Sequence, residues 1–400
     1  MEKTTNKGAF QRLFSNDNFK AKNAYTQAIL HKISSCHTLA LGYHCYQCNN
    51  EDCQHTHTQY HSCGNRHCPF CGTLKKDQWV EDRVADLLPT PYYHIVFTVP
   101  HSWNKVMMQS PRELYKILFD AASETLLKLG ANPEYLGATP GITAVLHTWG
   151  QKLDYHVHLH CIVSGGGVNA NNEWVQAKRA NGKFLFPEEA LKKVYKAVFL
   201  RLVRQRRKEI TSRYLGTGSD SGQIEEAIRL SGYRKWKVYA KAPFGGPDKV
   251  IKYLGRYTHK TAITHYRINS VKDGMVYFEY KDYADGNKVK EKKLTTTEFV
   301  RRFEMHILPK RFVRIRHYGF LTNRGKAARI NEIRNSIGLE SMTLKVQVPI
   351  EVRMLEKFGK DIAKCQQCHL GRYELLFTKR FDKITYSRAR DSPLLEKLKN

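Results

Sequence analysis

One stretch of the sequence reads Asp154-Tyr-His-Val-His-Leu-His-Cys-Ile-Val-Ser164 and runs directly into Gly165-Gly166-Gly167. Histidine occupies every second position and mostly apolar residues lie between, which is the two-residue period of a β-strand. His156, His158 and His160 are therefore predicted to share one face. Two such imidazoles hold a metal ion and leave its other positions to water, a carboxylate or a phosphate. The alternative is a strand whose imidazoles are merely solvated.

The net charge of the chain indicates which kinds of molecule it binds. Lysine and arginine outnumber the acids 66 to 37 in 400 residues, which gives a formal net charge of +29. A field of this sign favours polyanions such as nucleic acid or an anionic membrane. No apolar run has the length of a membrane span, and residues 1–7 lack the apolar core of a signal peptide. We expect a cytoplasmic, nucleoid-associated protein that binds nucleic acid and no membrane; a basic surface that only aids solubility is the alternative.

Cysteines and histidines are concentrated between Cys36 and Cys71. Without an export signal, such cysteines indicate metal binding rather than disulfides, with redox chemistry as the alternative. A segment with few large apolar residues needs a metal to fold, and tetrahedral zinc takes two ligand pairs from separate turns. The predicted zinc ligands are Cys48, Cys53, Cys68 and Cys71. A second ion would use Cys36, His44, Cys63 and His67.

The C-terminal tail contains another Cys-x-x-Cys pair, Cys365 and Cys368, with no second pair nearby. This pair is either half of a zinc ribbon completed from elsewhere in the chain or a relic of one.

Strand and helix patterns alternate along the rest of the chain. Strands are predicted at 93–99, 141–149 and 155–164, the last two forming a hairpin, and further strands at 236–240, 263–269, 275–280 and 288–294. Helices are predicted at 8–34, 74–88, 111–129, 187–214, 223–230 and 295–305.

Pro247 opens a further predicted helix that reaches residue 259 and carries Tyr253 and Tyr257. Residues four apart project from one face of a helix. A tyrosine pair at this spacing is usually a packing pair, so the functional interpretation needs support from other motifs.

Arginine and aromatic residues interleave in the segment 311–324, which is typical of a groove for single-stranded nucleic acid. There the cations contact phosphates and the flat rings stack on bases. The predicted DNA-binding residues are Arg256, Arg314, Arg316, Tyr318 and Arg324.

Together these features suggest one chemistry, in which a metal polarises a scissile phosphate while a tyrosine hydroxyl attacks phosphorus. The products are a 5′-phosphotyrosine and a free 3′-hydroxyl, and the second can reseal the first without ATP. Two tyrosines allow two linked transesterifications.

The sequence resembles the bacterial rolling-circle insertion-sequence transposases, which belong to the two-tyrosine HUH nucleases. The resemblance covers most of the chain. Its motifs are Leu41-Gly42 with His44, Ser62-Cys-Gly-Asn-Arg-His-Cys-Pro-Phe-Cys71, Phe97-Thr-Val-Pro-His101, His158-Leu-His-Cys-Ile-Val-Ser-Gly-Gly-Gly167, Tyr253-Leu-Gly-Arg-Tyr257 and His317-Tyr-Gly-Phe-Leu-Thr-Asn323.

The resemblance implies an α+β fold, with a central antiparallel sheet like that of RNA-recognition motifs and flanking helices. It places Mg²⁺ or Mn²⁺ on His158 and His160, with His156 as a possible extra ligand, and the nucleophiles on Tyr253 and Tyr257. The third metal ligand stays open among Asp154, His156 and His259. The zinc set also stays open, because this chain has Cys48-x4-Cys53 where the family has Cys-x-x-Cys, and Cys45 competes as the partner of Cys48.

The predicted domains are a zinc-binding domain at 1–90, a catalytic domain at 91–265 and a basic DNA-binding region at 266–400. The predicted activity is nicking and rejoining of single-stranded DNA at transposon ends. Two alternatives are kept: a replication initiator or relaxase with the same chemistry, and a zinc-dependent DNA-binding protein without catalysis.

Overall fold

A computed structural model gives the structure of the chain. It describes residues 8, 11, 13–14, 21–71, 73–177, 184–211, 220–241, 249, 255, 261–342 and 348–387. The predicted helix at 247–259 lies outside these residues except for Lys249 and Gly255, and only two positions of the predicted helix before Ala21 are described as helical.

Ten α-helices are described. They are α1 Ala24–Ser34, α2 Thr73–Ala85, α3 Asn104–Gln109, α4 Pro111–Ala131, α5 Glu188–Gln205, α6 Arg207–Thr211, α7 Asp220–Tyr233, α8 Thr296–Glu304, α9 Lys326–Ser336 and α10 Ile350–Phe358. Within the described ranges, no helix has both the length and the apolar character needed to cross a membrane.

Thirteen β-strands are described. They are β1 Tyr43–Cys48, β2 Thr56–Tyr60, β3 Tyr92–Thr98, β4 Thr139–Trp149, β5 Tyr155–Val168, β6 Trp174–Gln176, β7 Val238–Lys241, β8 Ile268–Lys272, β9 Met275–Asp282, β10 Lys288–Thr295, β11 Ile315–Tyr318, β12 Tyr373–Arg380 and β13 Lys383–Tyr386.

The chain divides into two compact units. One unit combines Met1–Cys71 with Thr343–Asn400, and the other is Gly72–Met342. This division differs from the predicted boundaries at 1–90, 91–265 and 266–400, because β12 near the end of the chain pairs with β1 near its beginning.

The larger unit is built on an antiparallel sheet with the strand order β11-β4-β5-β3-β7, to which β6 adds by pairing with β5. The histidine strand β5 lies between β4 and β3, so both of its edges are hydrogen-bonded. The α+β class with a central antiparallel sheet, predicted from the sequence, is confirmed.

One face of this sheet carries the main core. Val157, Leu159, Cys161 and Val163 of β5 are buried there in one core with residues of α3, α4 and α5. Helix α4 presents Leu114, Leu118 and other apolar residues at helical spacing, starts with a proline in its first turn, and carries Lys128 in its last turn. The apolar positions between the histidines are therefore explained by packing.

Part of the opposite face is covered by α2, and another part is open. Val145 and Ile162 are buried on it against α2, whose contacts include Trp79 and Val80. The histidines of β5 lie on this same face. A small sheet with the order β10-β9-β8 belongs to the same unit, and its helix α8 is capped by the Thr295 side chain, which accepts a hydrogen bond from the Glu298 amide.

The motif at 317–323 has a steric explanation. Gly319 has a φ of 62°, and a Cβ at this position would overlap the carbonyl of Pro140. Glycine is the residue that adopts this conformation without strain. The motif thus closes the end of β11 tightly against β4.

The smaller unit contains a four-stranded antiparallel sheet with the order β13-β12-β1-β2. Its two central strands, β12 and β1, come from opposite ends of the chain and pair from Tyr43 opposite Lys379 to Cys48 opposite Tyr373. Cys45, Leu376 and Phe377 form a small core beside them.

We predict that Val163→Ala lowers the free energy of unfolding by about 2 kcal/mol, because it removes two buried methyl groups from a packed core. Val163 is 0% exposed and Val289, the matched control on β10, is 66% exposed. Val289→Ala should cost less than about 1 kcal/mol. Urea unfolding of the two variants measures the difference, and equal costs would contradict the assignment of this face as the core.

Candidate functional site

The register of two strands creates the candidate site. His158 and His160 lie on one face of β5, and His158 pairs with His147 of β4. The register shifts between His147 and Trp149, so His147 opposes His158 although Trp149 opposes Tyr155. Directly opposed residues project from the same face of a sheet, so this irregularity adds a third imidazole to the histidine face.

The three imidazoles form one cluster. Ligand nitrogens of His147, His158 and His160 all lie within 4.8 Å of one another. The ring centroids of His147 and His160 are 4.5 Å apart, and those of His158 and His160 are 4.9 Å apart. Three imidazoles at this separation fit a single divalent ion with further positions left for water or substrate.

Hydrogen bonds orient two of the rings. Nδ1 of His158 donates to the backbone carbonyl of His156 at 2.9 Å, which leaves Nε2 of His158 to act as a metal ligand. Nδ1 of His160 lies 2.9 Å from Nε2 of His94, a buried residue on β3. If His160 binds metal through Nε2, its Nδ1–H donates to His94.

Burial keeps these imidazoles neutral. It lowers the pKa of His158 to about 3 and that of His94 to about 4, and it lowers the pKa of His160 well below its ordinary value. Neighbouring imidazoles act in the same direction. Neutral imidazole is the form that binds metal ions, so the cluster is ready to bind at physiological pH.

The cluster opens into a cavity of about 800 Å³. Its walls carry three lysines, Lys152, Lys241 and Lys281, and two tyrosines, Tyr239 and Tyr283.

Both wall carboxylates are paired. Asp154 accepts a hydrogen bond from Arg302 at 3.0 Å, and Asp282 lies 3.0 Å from Nζ of Lys290. The cavity is therefore positively charged and aromatic around the histidine cluster.

The described candidates for the third metal ligand, Asp154 and His156, do not belong to the histidine cluster. The ring of His156 is 4.9 Å from that of His158, yet His156 does not belong to the three-residue cluster. Asp154 lines the cavity but pairs with Arg302. His259 lies outside the described residues. His147 is the third member of the cluster. Its sequence signal is its position in the hairpin strand that pairs with β5.

Tyr253, Arg256 and Tyr257 also lie outside the described residues. Gly255, at the centre of the tyrosine motif, is described as helical and buried. A Cβ on Gly255 would overlap Cγ2 of Val80 in α2. Gly255 therefore packs on a helix that covers the histidine face of the sheet.

The predicted DNA-binding residues of the 311–324 segment differ in their surroundings. The Arg316 guanidinium lies 4.3 Å from the ring centroid of Phe119 and 5.3 Å from that of Phe312. Tyr318 packs against the main core, and burial raises its pKa to about 12. For these two half-buried residues, intramolecular packing explains part of the alternation of arginine and aromatics, and the DNA contacts of this segment stay a prediction. Arg314 is half-buried and Arg324 is exposed.

Eight of the nine cysteines of the smaller unit form two clusters of four. The first contains Cys36, Cys63, Cys68 and Cys71. The Sγ atoms of Cys36 and Cys71 are 3.5 Å apart, and those of Cys63 and Cys71 are 3.7 Å apart. The second cluster contains Cys48, Cys53, Cys365 and Cys368.

This grouping corrects the predicted zinc sets. Cys48 and Cys53 do not join Cys68 and Cys71, because the pairing of β1 with β12 brings the C-terminal cysteines to Cys48 instead.

The two histidines of the second predicted set lie outside both clusters. The Nδ1 atom of His44 is 2.8 Å from the hydroxyl of Thr378, and that of His67 is 3.1 Å from the side-chain oxygen of Asn65.

Two regions of the chain match known families. Residues 9–99 match the family described as "Transposase zinc-binding domain", and residues 141–328 match the family described as "Putative transposase".

Two relatives are similar over most of the chain. "Putative transposase y4qJ" of Sinorhizobium fredii is 39% identical over 89% of this chain and 90% of its own length. The transposase for insertion sequence element IS801 of Pseudomonas savastanoi pv. phaseolicola is 29% identical over 73% of this chain and 69% of its own length.

Among solved structures, the metal-bound conjugative relaxase TrwC in complex with oriT DNA is similar at a TM-score of 0.22 and 14% identity, over 42% of this chain and 70% of that chain. The sequence relatives confirm the predicted transposase, and the family matched by residues 9–99 confirms the predicted zinc-binding domain. By the identity and coverage of the Sinorhizobium relative and by the two matched regions, this chain belongs to the transposase family.

Proposed function

We propose that this transposase nicks and rejoins single-stranded DNA at transposon ends through a tyrosine transesterification, and so moves its insertion sequence by a rolling-circle-type mechanism. The observation that carries the proposal is the cluster of His147, His158 and His160 at the base of an open, positively charged cavity. Regulation by DNA binding alone needs no such cluster. Replication initiators and relaxases share the chemistry, but the sequence relatives are transposases.

The three histidines are the residues that would hold a divalent ion such as Mg²⁺ or Mn²⁺. The fit rests on three imidazoles whose ligand nitrogens lie within 4.8 Å of one another and on the fixed tautomer of His158. When bound, such an ion supplies a Lewis acid that polarises the scissile phosphate. The protein contributes the orientation of the rings, through the His156 carbonyl and His94.

Tyr253 and Tyr257 are the proposed nucleophiles. The hydroxyl oxygen of one tyrosine forms a bond to phosphorus, the bond from phosphorus to the 3′-oxygen breaks, and the tyrosine proton is transferred to that leaving oxygen. The products are a 5′-phosphotyrosine and a free 3′-hydroxyl, and attack by a 3′-hydroxyl reverses the step. A tyrosine pKa near 10 leaves the hydroxyl mostly neutral at pH 7, so positioning carries much of the catalysis.

Gly255 supports this assignment. It packs against Val80, and Val80 belongs to the helix that covers Val145 and Ile162 on the histidine face. In the sequence, Gly255 lies between Tyr253 and Tyr257. The described residue of the motif thus packs on the side of the sheet that carries the histidines.

The cavity wall supports single-stranded DNA as the substrate. Tyr239 and Tyr283 are 52% and 63% exposed, so their rings are available for stacking on bases. The Tyr283 hydroxyl accepts a hydrogen bond from Gln151 at 3.1 Å, which orients the ring. Lys152 lies over the ring of Tyr280 at 4.8 Å, where its ammonium group is held for a phosphate contact.

We predict that the purified protein forms a covalent adduct with single-stranded DNA from its element's ends in the presence of Mn²⁺, and that EDTA prevents it. Tyr253→Phe and Tyr257→Phe should together abolish the adduct, whereas a single variant should retain it in part. Denaturing gels with labelled DNA measure the adduct. Tyr239→Phe is the control, since it removes a hydroxyl from the cavity wall outside the motif. An adduct in the double variant, or DNA binding without any adduct in the wild type, contradicts the proposal.

We predict that His147→Ala weakens Mn²⁺ binding at least about tenfold, because it removes one of three ligands. His156→Ala should leave the affinity within about twofold of wild type, since His156 lies outside the cluster. Isothermal titration calorimetry gives both affinities without relying on DNA cleavage. The reverse order of effects would show that His156 is the third ligand.

We predict that Tyr283→Ala weakens binding of single-stranded DNA by about 5- to 100-fold, because it removes one stacking platform. Tyr283→Phe keeps the ring and should bind nearly as tightly as wild type. Tyr266→Ala is the matched control, as Tyr266 is also 63% exposed but does not line the cavity. Fluorescence anisotropy measures the affinities. A similar loss of affinity in Tyr266→Ala would contradict the proposal that DNA binds in the cavity.

A further inference from the structure

The second cysteine cluster joins residues from the two ends of the chain. Cys48 ends β1, Cys53 lies in the turn that follows, and Cys365 and Cys368 precede β12. The matched zinc-binding region stops at residue 99 and so contains only half of these thiols. We propose that the four cysteines hold a second structural zinc ion, and that this ion joins the C-terminal segment to the N-terminal zinc-binding segment.

The sulfur positions fit tetrahedral zinc. The Sγ atoms of Cys48 and Cys368 are 3.7 Å apart, and those of Cys53 and Cys365 are 3.9 Å apart. Four sulfurs at about 2.3 Å from a tetrahedral zinc lie about 3.8 Å from one another. A disulfide would need about 2.05 Å. Four thiolates without an oxygen ligand select zinc over magnesium or calcium.

Backbone amides point at the sulfurs. The amides of Asn50, Gln367 and Gly371 donate to Cys48, Cys365 and Cys368 at 3.5, 3.4 and 3.3 Å. Such bonds stabilise thiolate over thiol and orient the sulfurs for a metal. The same arrangement recurs in the first cluster, where the amide of Cys63 donates to Cys36 at 3.4 Å.

Gly371 leaves room for the cluster. A Cβ at this position would overlap Cys48 Sγ and lie 2.9 Å from Cβ of Asn50. The turn that carries Cys365 and Cys368 thus approaches Cys48 to a distance that only glycine permits. This close approach is a second observation, independent of the sulfur distances, that the two turns are built to meet.

Hydrogen bonds between the two turns hold them together. The Asn49 amide donates to the carbonyl of Arg372 at 2.9 Å, and the Arg372 amide donates to the Asn49 side-chain oxygen at 2.8 Å. Tyr373 continues this contact as the strand partner of Cys48. Because Cys53 and Cys365 are 312 residues apart, closing this contact costs considerable chain entropy, which a bound ion offsets.

The test is the zinc content of the full chain. Mass spectrometry of the metal in purified protein should find two zinc ions per chain in the wild type and one in the Cys365→Ala/Cys368→Ala variant. The matched control is Cys45→Ala/Cys161→Ala, which removes two buried cysteines outside both clusters and should keep two ions. Circular dichroism verifies that each variant is folded.

Gly371→Ala tests the site without removing a ligand. It should retain all thiols yet release one zinc ion to a chelator at least about tenfold faster than the wild type, because the new methyl group displaces Cys48. Gly232→Ala is its control, since nothing lies within 4 Å of a Cβ there and its φ is outside the left-handed region.

One zinc ion in the wild type, two in the Cys365→Ala/Cys368→Ala variant, or iron in place of zinc would overturn the proposal. Since the readout is metal content and release rate, it stands or falls separately from strand cleavage.

Discussion

The register shift between β4 and β5 is the constraint on which the histidine cluster depends. With Trp149 opposite Tyr155, a regular hairpin would place His147 opposite Val157, whose side chain is buried in the main core. The shift places it opposite His158 instead, on the other face. An alternating strand supplies two imidazoles, and the irregularity of its partner supplies the third. Strand β3 then adds His94 from the other edge, so both neighbours of β5 contribute to the site.

Much of the larger unit was predictable because its signals are local. The two-residue period of β5 and the helical spacing of α4 describe how each element packs, and both elements were predicted close to their observed bounds. His147 was missed because a register shift is a property of two strands and their turn together. The histidine motif alone carries no information about it.

The cysteine grouping was mispredicted for a related reason. Sequence proximity favours ligands that are neighbours along the chain, whereas Cys48 meets Cys368 through strand pairing between distant segments. Arg316 and Tyr318 also show that a sequence pattern does not reveal which distant residues pack together. Alternating charge and aromatic residues identify two faces, but only the fold determines that this aromatic face is packed, with the guanidinium of Arg316 over Phe119. The exposed rings that line the cavity, Tyr239 and Tyr283, lie outside the segment 311–324.

Because β1 pairs with β12, the sheet of the smaller unit is completed only after the C-terminal segment has been synthesised. The ribosome releases Cys53 a full 312 residues before Cys365. At about 5–20 residues per second, this interval is on the order of 15–60 s. During this time the larger unit, which lies wholly between the two segments, can fold while β1 still lacks its partner β12. A nascent or prematurely terminated chain would thus carry the histidine sheet without a finished zinc-binding module.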